Sequence, residues 1–242
     1  MAHAIHIGTS GWSYKHWLGT FYPEGTKAKD QFPYYFNHFN TVELNNTFYQ
    51  LPKKETFLNW KNEVSSDFVY VIKASRYITH LKRLQDPAQS LALFLEHVAI
   101  LGEKLGAILF QLPPSLKADS ELLENFLEHL PDTHRYVFEF RNDEWYRTET
   151  YQLLQKYNCA LCIFELAGQR SPIEMTADFV YVRLHGPGGK YQGSYPDETL
   201  TEWAQSCKEW SETKDVFVYF DNDEKGYAAF NAMRLEELVQ NK

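Results

Sequence analysis

The sequence predicts an α/β protein, a single (β/α)8 TIM-type barrel that forms one domain over residues 1–242. Its length is typical of one such barrel. Short apolar runs alternate along the chain with segments of helical periodicity, which indicates parallel strands joined by crossover helices. No Gly-x-Gly-x-x-Gly follows the first run and no run resembles a short charged edge strand, so a closed barrel is favoured over an open doubly wound sheet.

Eight apolar runs are predicted to be strands buried on both faces, as in a parallel sheet. The runs are 5–8, 41–44, 68–72, 107–111, 136–140, 160–164, 180–184 and 216–220. The clearest helical segment between them is 87–104, where Leu91, Leu95, Val98 and Leu101 form one apolar stripe. Residues 120–130, 198–213 and 227–240 are the other predicted helices.

Composition and charge limit the classes of partner. The chain has 24 Lys and Arg against 32 Asp and Glu, a net charge of −8, which argues against bulk attraction to nucleic acid or an anionic membrane. No signal peptide is visible, and no window is apolar enough to span a membrane. Three cysteines suit a reducing compartment. We therefore expect a cytoplasmic protein with no membrane partner.

Polar side chains follow nearly every predicted strand, at the end where barrel enzymes carry their sites. Because ionisable groups are costly inside apolar runs, their repetition at one end predicts a shared binding or catalytic site. In chain order these residues are Thr9, Ser10, Trp12, Glu43, Asn45, Tyr49, Lys73, Gln111, Glu139, Arg141, Trp145, Glu165, Arg183, His185, Asp221 and Asn222. Glu139 and Arg141 are two residues apart and leave the strand on one face, which by itself is equally typical of a structural clamp.

Several of these motifs together resemble the YecE-like family, known as domain of unknown function 72. The resemblance covers essentially the whole chain and rests on residues 8–12, Glu43-x-Asn45-x-x-Phe48-Tyr49, residues 111–114, residues 139–141 with Trp145, and Tyr181-x-Arg183-x-His185-Gly186. It implies a TIM-type barrel of the bacterial or archaeal cytoplasm and no established reaction. Two residues depart from the family pattern. Asp221 stands after strand eight where the family usually has Asn, which adds a carboxylate to the strand ends, and Glu144 stands before Trp145 where the family often has Ser.

The residue types favour an enzyme that acts on a small anionic or phosphorylated metabolite. Glu43, Lys73, Glu139 and His185 are the predicted catalytic residues, since they offer acid, base and proton-shuttle groups. Lys73, Arg141 and Arg183 come from three strands and could bind an anion. Trp12, Tyr49 and Trp145 are predicted to form aromatic walls of the substrate pocket. The full set of predicted substrate-binding residues is Thr9, Ser10, Trp12, Asn45, Tyr49, Gln111, Arg141, Trp145, Arg183, Asp221 and Asn222.

The residue types leave three alternatives open. Glu43, Glu139, Glu165, His185 and Asp221 could hold a divalent metal for a hydrolase or isomerase, although nearby cations disfavour it. Glu43 and Glu139 could be the carboxylate pair of a glycosidase. A non-catalytic barrel could bind a ligand, or a single nucleic-acid strand through Tyr77, His80, Lys82 and Arg83, although the net acidity makes nucleic acid the less favoured partner.

The sequence requires no cofactor, and it contains no His-x-His or His-Glu-x-x-His metal signature. Cys159 and Cys162 have Cys-x-x-Cys spacing but lie in an apolar run without a second pair, so we expect core residues. The glycine-rich stretch 186–189 follows a strand and is predicted to be a loop. Oligomeric state is not predicted.

Overall fold

The computed structural model describes residues 3–241, in which eight parallel strands alternate with helices and form a nearly closed (β/α)8 barrel. The predicted fold class is therefore confirmed. The parallel strands are β1 (Ile5–Thr9), β2 (Thr41–Leu44), β3 (Val69–Lys73), β4 (Leu105–Gln111), β5 (Tyr136–Glu139), β6 (Cys159–Leu166), β8 (Phe179–Leu184) and β9 (Asp215–Phe220). A two-residue strand, β7 (Gln169–Arg170), pairs antiparallel with β6.

Eight α-helices connect or follow these strands. They are α1 (Ala28–Phe36), α2 (Asn46–Tyr49), α3 (Lys54–Glu63), α4 (Pro87–Val98), α5 (Ser120–Glu128), α6 (Thr148–Lys156), α7 (Asp197–Ser211) and α8 (Tyr227–Gln240) among the described residues. Short 3₁₀ turns lie at Lys15–Trp17, Ala99–Lys104 and Asp143–Trp145, and one π-helical turn at Tyr77–Leu81.

The predicted helix over residues 87–104 is divided in the structure. α4 ends at Val98, a 3₁₀ segment continues to Lys104, and Gly102 inside that segment has φ 58° and ψ −127°, which no α-helix contains. The apolar stripe continues through both pieces because Leu101 is buried like Leu91 and Val98. Periodicity alone therefore predicted one element where the backbone forms two.

The chain divides into two compact units. The first contains residues 1–43, 163–173 and 179–242, and the second contains residues 44–162 and 174–178. In the first unit β1 and β8 both pair in parallel with β9, and a bridge between Ser10 and Glu43 joins the end of β1 to β2. In the second unit β4 pairs in parallel with β3 and with β5, and β5 pairs with the first residues of β6.

Both units bury apolar side chains from their strands and from the inner faces of their helices. In the first unit the strand residues Val216, Val218 and Tyr181 are fully buried. In the second, Ile108 and Phe138 are fully buried. β2, β5 and β8 are buried at every residue. Such burial is what the unbroken apolar runs indicate, because both faces of a barrel strand are covered.

Lys104 is a buried cation with a structural role in the second unit. Its side chain is almost fully buried, and Nζ donates hydrogen bonds of 2.7 Å to the carbonyl oxygens of Lys61 and Val64 at the end of α3. A helix end leaves carbonyl groups without helical partners, and here the ammonium supplies donors to them.

We expect Lys104→Met to lower the free energy of unfolding by about 1–3 kcal/mol, because the methionine leaves the two carbonyl acceptors without these donors. Urea unfolding of the variant against the parent chain measures the change. Lys117→Met is the matched control, since the side chain of Lys117 is 80% exposed. A loss no larger than that of the control would show that Lys104 does not stabilise the end of α3.

Candidate active site

A buried carboxylate stands at the centre of the first unit's polar residues. Glu43, near the end of β2, has no exposed surface and accepts four hydrogen bonds. Ser10 Oγ donates at 2.7 Å, Tyr181 Oη at 2.6 Å, and Arg183 donates from Nε at 2.9 Å and from Nη2 at 2.6 Å. Glu43 and Arg183 thus form an ion pair, and each carboxylate oxygen of Glu43 accepts hydrogen bonds from two donors.

The local backbone explains why these donors meet. Tyr181, Arg183 and His185 alternate along β8 and its end, so their side chains leave on one face. Ser10 is directed to Glu43 by the turn after β1, where Gly11 has φ +94° and a Cβ would lie 2.9 Å from the Tyr14 hydroxyl. Only glycine fits that turn without strain.

The phenols beside this carboxylate remain protonated. Burial raises the pKa of Tyr181 well above its ordinary value, and the charge of Glu43 adds to the effect. Burial likewise raises the pKa of Tyr14, with further contributions from Asp221, Asp223 and Glu43. The hydroxyl of Tyr181 is therefore a permanent donor to Glu43, and that of Tyr14 donates to the Ser10 carbonyl.

His185 and Asp221 extend the network to the ends of β8 and β9. His185 Nδ1 lies 3.0 Å from Asp221 Oδ2, and Arg183 contacts both partners at 3.4 Å, through Nη1 to His185 Nε2 and through Nη2 to Asp221 Oδ2. A guanidinium can only donate, so Nε2 accepts and Nδ1 carries the proton donated to Asp221. His185 is completely buried, whereas the Asp221 side chain is 19% exposed. Asp221 is thus the member of this pair that a ligand can reach.

A second carboxylate, Asp223, lies two residues beyond Asp221. It accepts a 2.6 Å hydrogen bond from Trp17 Nε1 and contacts His16 Nε2 at 2.7 Å. Burial raises the pKa of Asp223 to about 6; the bonds from Trp17 and His16 oppose this rise, and the charge of Asp221 adds to it. The two neighbouring carboxyl groups therefore have different environments, one beside an arginine and the other beside an indole.

Asp223 gives an expected pH dependence of stability. Its pKa is raised from 3.8 to about 6 in the folded chain, so between these pH values the unfolded chain releases a proton that the folded chain retains. We expect this group to lower the free energy of unfolding by about 2–3 kcal/mol as the pH rises through that window, and Asp223→Asn to lack the effect. Urea unfolding of both chains across this pH range measures it. If the free energy of unfolding changed with pH in the same way in both chains, the raised pKa of Asp223 would be contradicted.

The glycine-rich loop after β8 packs over His185. The ring of Tyr191 meets the His185 ring edge-on at 5.5 Å, and the Tyr191 amide donates a 2.7 Å hydrogen bond to the His185 carbonyl. Asn222 fixes the far end of this loop, because its Nδ2 donates to the Gly193 carbonyl and to Asn231 Oδ1, both at 2.8 Å. The loop is therefore held at both ends.

The second unit has its own carboxylate–arginine pair. Glu139, the last residue of β5, is fully buried and forms an ion pair with Arg141, whose side chain is 10% exposed. Cys162 Sγ lies 3.9 Å from Glu139 Oε2. The same-face spacing expected from the sequence is observed, and the pair has the form of a structural clamp.

Lys73, at the end of β3, also lies in the second unit. Its ammonium is 4.6 Å from the centroid of the Phe48 ring. Tyr49 is 73% exposed, and Gln111 and Asn45 are half-buried. A substrate-binding role for Gln111, Asn45 and Tyr49, and a catalytic one for Lys73, stay predictions.

Three predicted binding residues have evident packing partners instead. Trp145 is completely buried, stacks on Phe140 at 4.8 Å and donates from Nε1 to the Leu116 carbonyl, so the expected aromatic wall is a core residue. Thr9 is buried and hydrogen-bonded to Tyr35. Trp12 packs at 4.3 Å on another ring, that of Phe32, but stays half-buried.

The proposed metal ligands do not form a metal site among residues 3–241, where no group of three or more His, Cys, Asp or Glu side chains has a suitable arrangement. The guanidinium of Arg183 bridges Glu43 and Asp221, the position a cation would need. Glu165 is instead paired with Arg170 at 2.8 Å. The cysteines 159 and 162 are buried thiols, as expected of core residues.

Sequence reasoning did not select Tyr181, Tyr14 or Asp223 for the site. Tyr181 precedes Arg183 by two residues, so its place on the same strand face was readable from spacing. Asp223 follows Asp221 at the same interval. Tyr14 had no such signal, because it lies in a loop and reaches Ser10 through a turn that the sequence does not specify.

Comparison with known proteins gives consistent results. A profile described as protein of unknown function DUF72 matches residues 6–242. The chain is 27% identical over 269 residues to UPF0759 protein YunF of Bacillus subtilis, covering 97% of this chain and 94% of YunF. It is 30% identical over 143 residues to UPF0759 protein YecE of Escherichia coli K12, covering 59% of this chain and 50% of YecE.

Solved structures agree with these sequence matches. A DUF72 family protein of Thermotoga maritima is 29% identical with a TM-score of 0.88, covering 99% of this chain and 100% of that protein. A DUF72 family protein of Enterococcus faecalis is 21% identical with a TM-score of 0.84, covering 98% of this chain and 96% of that protein, and shares the fold. Within residues 3–241, no helix is both long and apolar enough to cross a membrane.

Proposed function

This chain belongs to the DUF72 family of proteins of unknown function, and we propose that it is an enzyme that transfers protons on a small anionic metabolite. In this proposal Asp221 is the acid–base group that meets the substrate and Asp223 is its partner. The observation that supports it most is the pair of carboxylates at one end of β9, two residues apart and in different environments.

The environment of Asp221 favours its ionised form. Arg183 Nη2 and His185 Nδ1 both direct donors at Asp221 Oδ2, so negative charge on this oxygen is stabilised. Its partial exposure gives a substrate access to the carboxylate. A carboxylate that is ionised, oriented and reachable has the properties of a general base.

Asp223 is suited to the complementary step. With a pKa of about 6, a fraction of Asp223 stays protonated near neutral pH, and a general acid acts from that protonated form. Pairs of carboxyl groups whose environments separate their pKa values are a recurring arrangement for acid and base roles. Trp17 and His16 orient the Asp223 side chain by direct contact.

Glu43, Arg183 and His185 act through Asp221 in this proposal and are positioning residues. Glu43 holds Arg183 with two hydrogen bonds, Arg183 contacts Asp221 and His185, and His185 donates to Asp221. The sequence had favoured Glu43 and His185 as catalytic residues. Both are fully buried and fully engaged, which makes an indirect role the better interpretation.

The anionic character of the substrate is carried over from the residue types in the sequence. In the first unit its support is Arg183, which contacts Asp221 at 3.4 Å. Arg183 also pairs with the buried carboxylate of Glu43, which reduces what it offers to an anion. No cofactor is required by this chemistry. We also propose a cytoplasmic location, in keeping with three buried free cysteines.

Proton exchange in D2O tests the proposal whatever the overall reaction is. The purified chain is incubated with a panel of phosphorylated and carboxylated metabolites, and mass spectrometry follows deuterium uptake or conversion. We expect at least one metabolite to change, and Asp221→Asn to slow that change by about 10²–10⁴-fold. Glu224→Gln is the matched control, since Glu224 is exposed and adjacent to Asp223.

Two results would overturn the proposal. One is a panel in which the parent chain alters nothing. The other is an Asp221→Asn variant that works as fast as the Glu224→Gln control.

A further inference from the structure

The segment that joins β3 to α4 is strongly basic in a chain of net negative charge. Residues 73–86 contain four Lys and Arg and one Asp, whereas the whole chain has a net charge of −8. Lys82 pairs with Asp86 in this segment at 3.0 Å. The other three cations, Lys73, Arg76 and Arg83, act on a common neighbour, His80.

His80 lies at the centre of this basic segment. Its ring meets Phe48 edge-on at 5.1 Å, and the Lys73 ammonium lies over the same Phe48 ring at 4.6 Å. Burial lowers the pKa of His80, and the charges of Lys73, Arg76 and Arg83 lower it further. The imidazole is therefore neutral at physiological pH although it is surrounded by cations.

The backbone of the segment adopts uncommon conformations. A π-helical turn covers Tyr77–Leu81, and such turns occur often at functional sites. Arg83, Leu84 and Asp86 then have φ values of +52°, +67° and +49°. Left-handed conformations cost free energy in residues other than glycine and persist where the surroundings enforce them.

Two anchors hold this conformation in place. The side chain of Leu84 is completely buried, and Arg83 donates to the Ser115 carbonyl at 2.8 Å and to Ser115 Oγ at 3.2 Å. The strained turn thus fixes the backbone of Arg83 close to His80. The positive charges of Lys73, Arg76 and Arg83 all act on His80, and a bound anion would relieve the repulsion among them.

We infer that residues 73–83 form a binding site for a phosphate-bearing small molecule, with Arg76, His80 and Arg83 as its main contacts. Guanidinium groups match phosphate oxygens in geometry, and the imidazole would gain a proton when the anion binds. Exposed Tyr77 and Tyr49 offer rings to the organic part of such a ligand. The inference goes beyond the proposed function, because none of its main contacts belongs to the proton-transfer residues.

Titration of His80 by NMR in inorganic phosphate tests the inference directly. Its ring signals are assigned by comparison with His80→Gln, and the pKa is measured in phosphate and in chloride of equal ionic strength. We expect phosphate to raise the pKa of His80 by about one unit relative to chloride. An equal pKa in both salts would overturn the inference and would leave the Asp221 proposal unaffected.

Variants test which cations contact the anion. Arg76→Ala removes an exposed side chain and should keep the fold, and we expect it to weaken phosphate binding about tenfold. Lys117→Ala, at another exposed cation of the second unit, should bind as the parent does. Equal weakening of phosphate binding in both variants would show that phosphate responds only to the overall charge of the protein, which would contradict a specific site.

The nature of the ligand is tested by competition. Phenyl phosphate should compete with inorganic phosphate for His80 at equal or lower concentration, since it has both the anion and a ring. A short single-stranded oligothymidylate should compete more weakly per phosphate. Stronger competition by the oligonucleotide would overturn the small-molecule assignment.

Discussion

Replacement of Glu43 by glutamine should lower the free energy of unfolding by about 3–5 kcal/mol, the cost of leaving a buried arginine without its carboxylate. Glu43 and Arg183 have almost no exposed surface, so water cannot replace the lost charge. The glutamine amide would also direct a donor at a guanidinium or at the hydroxyls of Ser10 and Tyr181, which themselves donate to this position. The substitution therefore removes an ion pair and places the glutamine NH2 group against groups that are themselves hydrogen-bond donors.

Urea unfolding of Glu43→Gln measures this loss, with Glu128→Gln as the exposed control. Arg183→Met should restore part of the stability when combined with Glu43→Gln, because it removes the unpaired charge. Additive losses in the double variant would show that the two side chains do not stabilise each other. A loss below about 1 kcal/mol for Glu43→Gln would contradict a buried clamp.

Among glycine-to-alanine substitutions in the loop after β8, Gly186→Ala should lower the free energy of unfolding the most. Gly186 has φ +112°, and an added Cβ would lie 2.3 Å from the carbonyl oxygen of Gln192 and 2.8 Å from its amide nitrogen. Both obstacles are backbone atoms, so no side-chain rotation relieves them. We expect a loss of about 2–4 kcal/mol in the free energy of unfolding, from steric conflict and an unfavourable φ together.

Gly188→Ala is the matched control in the same loop, because an added Cβ there meets no atom within 4 Å. Its stability should equal that of the parent chain within about 0.5 kcal/mol. NMR of the His185 and Tyr191 rings supplies a second readout, since displacement of the loop would separate them. Equal stability of the two alanine variants would show that the loop adapts around the added methyl group.

Much of the fold was readable from the sequence because barrel strands are buried on both faces. Uninterrupted apolar runs therefore predicted all eight parallel strands, with ends that lie within two residues of the observed ones. The short strand β7 was missed because its two residues, Gln169 and Arg170, are polar and exposed. α1, α2, α3 and α6 were not predicted, because they are short or contain few aliphatic residues.

The sequence predicted which charged residues belong to the site, but not which carboxylate pairs with which arginine. Spacing predicted that Arg183 and His185 lie on one strand face, and that Glu139 and Arg141 do so on another strand, since alternate residues of a strand share a face. Which carboxylate each arginine binds depends on the pairing of distant segments. Glu43 and Arg183 are 140 residues apart in the chain. The sequence could therefore list the charged groups without showing that the arginines were already neutralised.

The three cysteines provide a built-in reporter of local opening. Cys159 and Cys162 lie in the second unit and Cys207 in the first, and all three are buried thiols. Burial raises the pKa of Cys159 and of Cys207 to about 12, so thiolate forms only when a segment opens to water. The rate of alkylation at each cysteine, measured by peptide mass, therefore reports the local opening of each unit separately, with no mutation introduced.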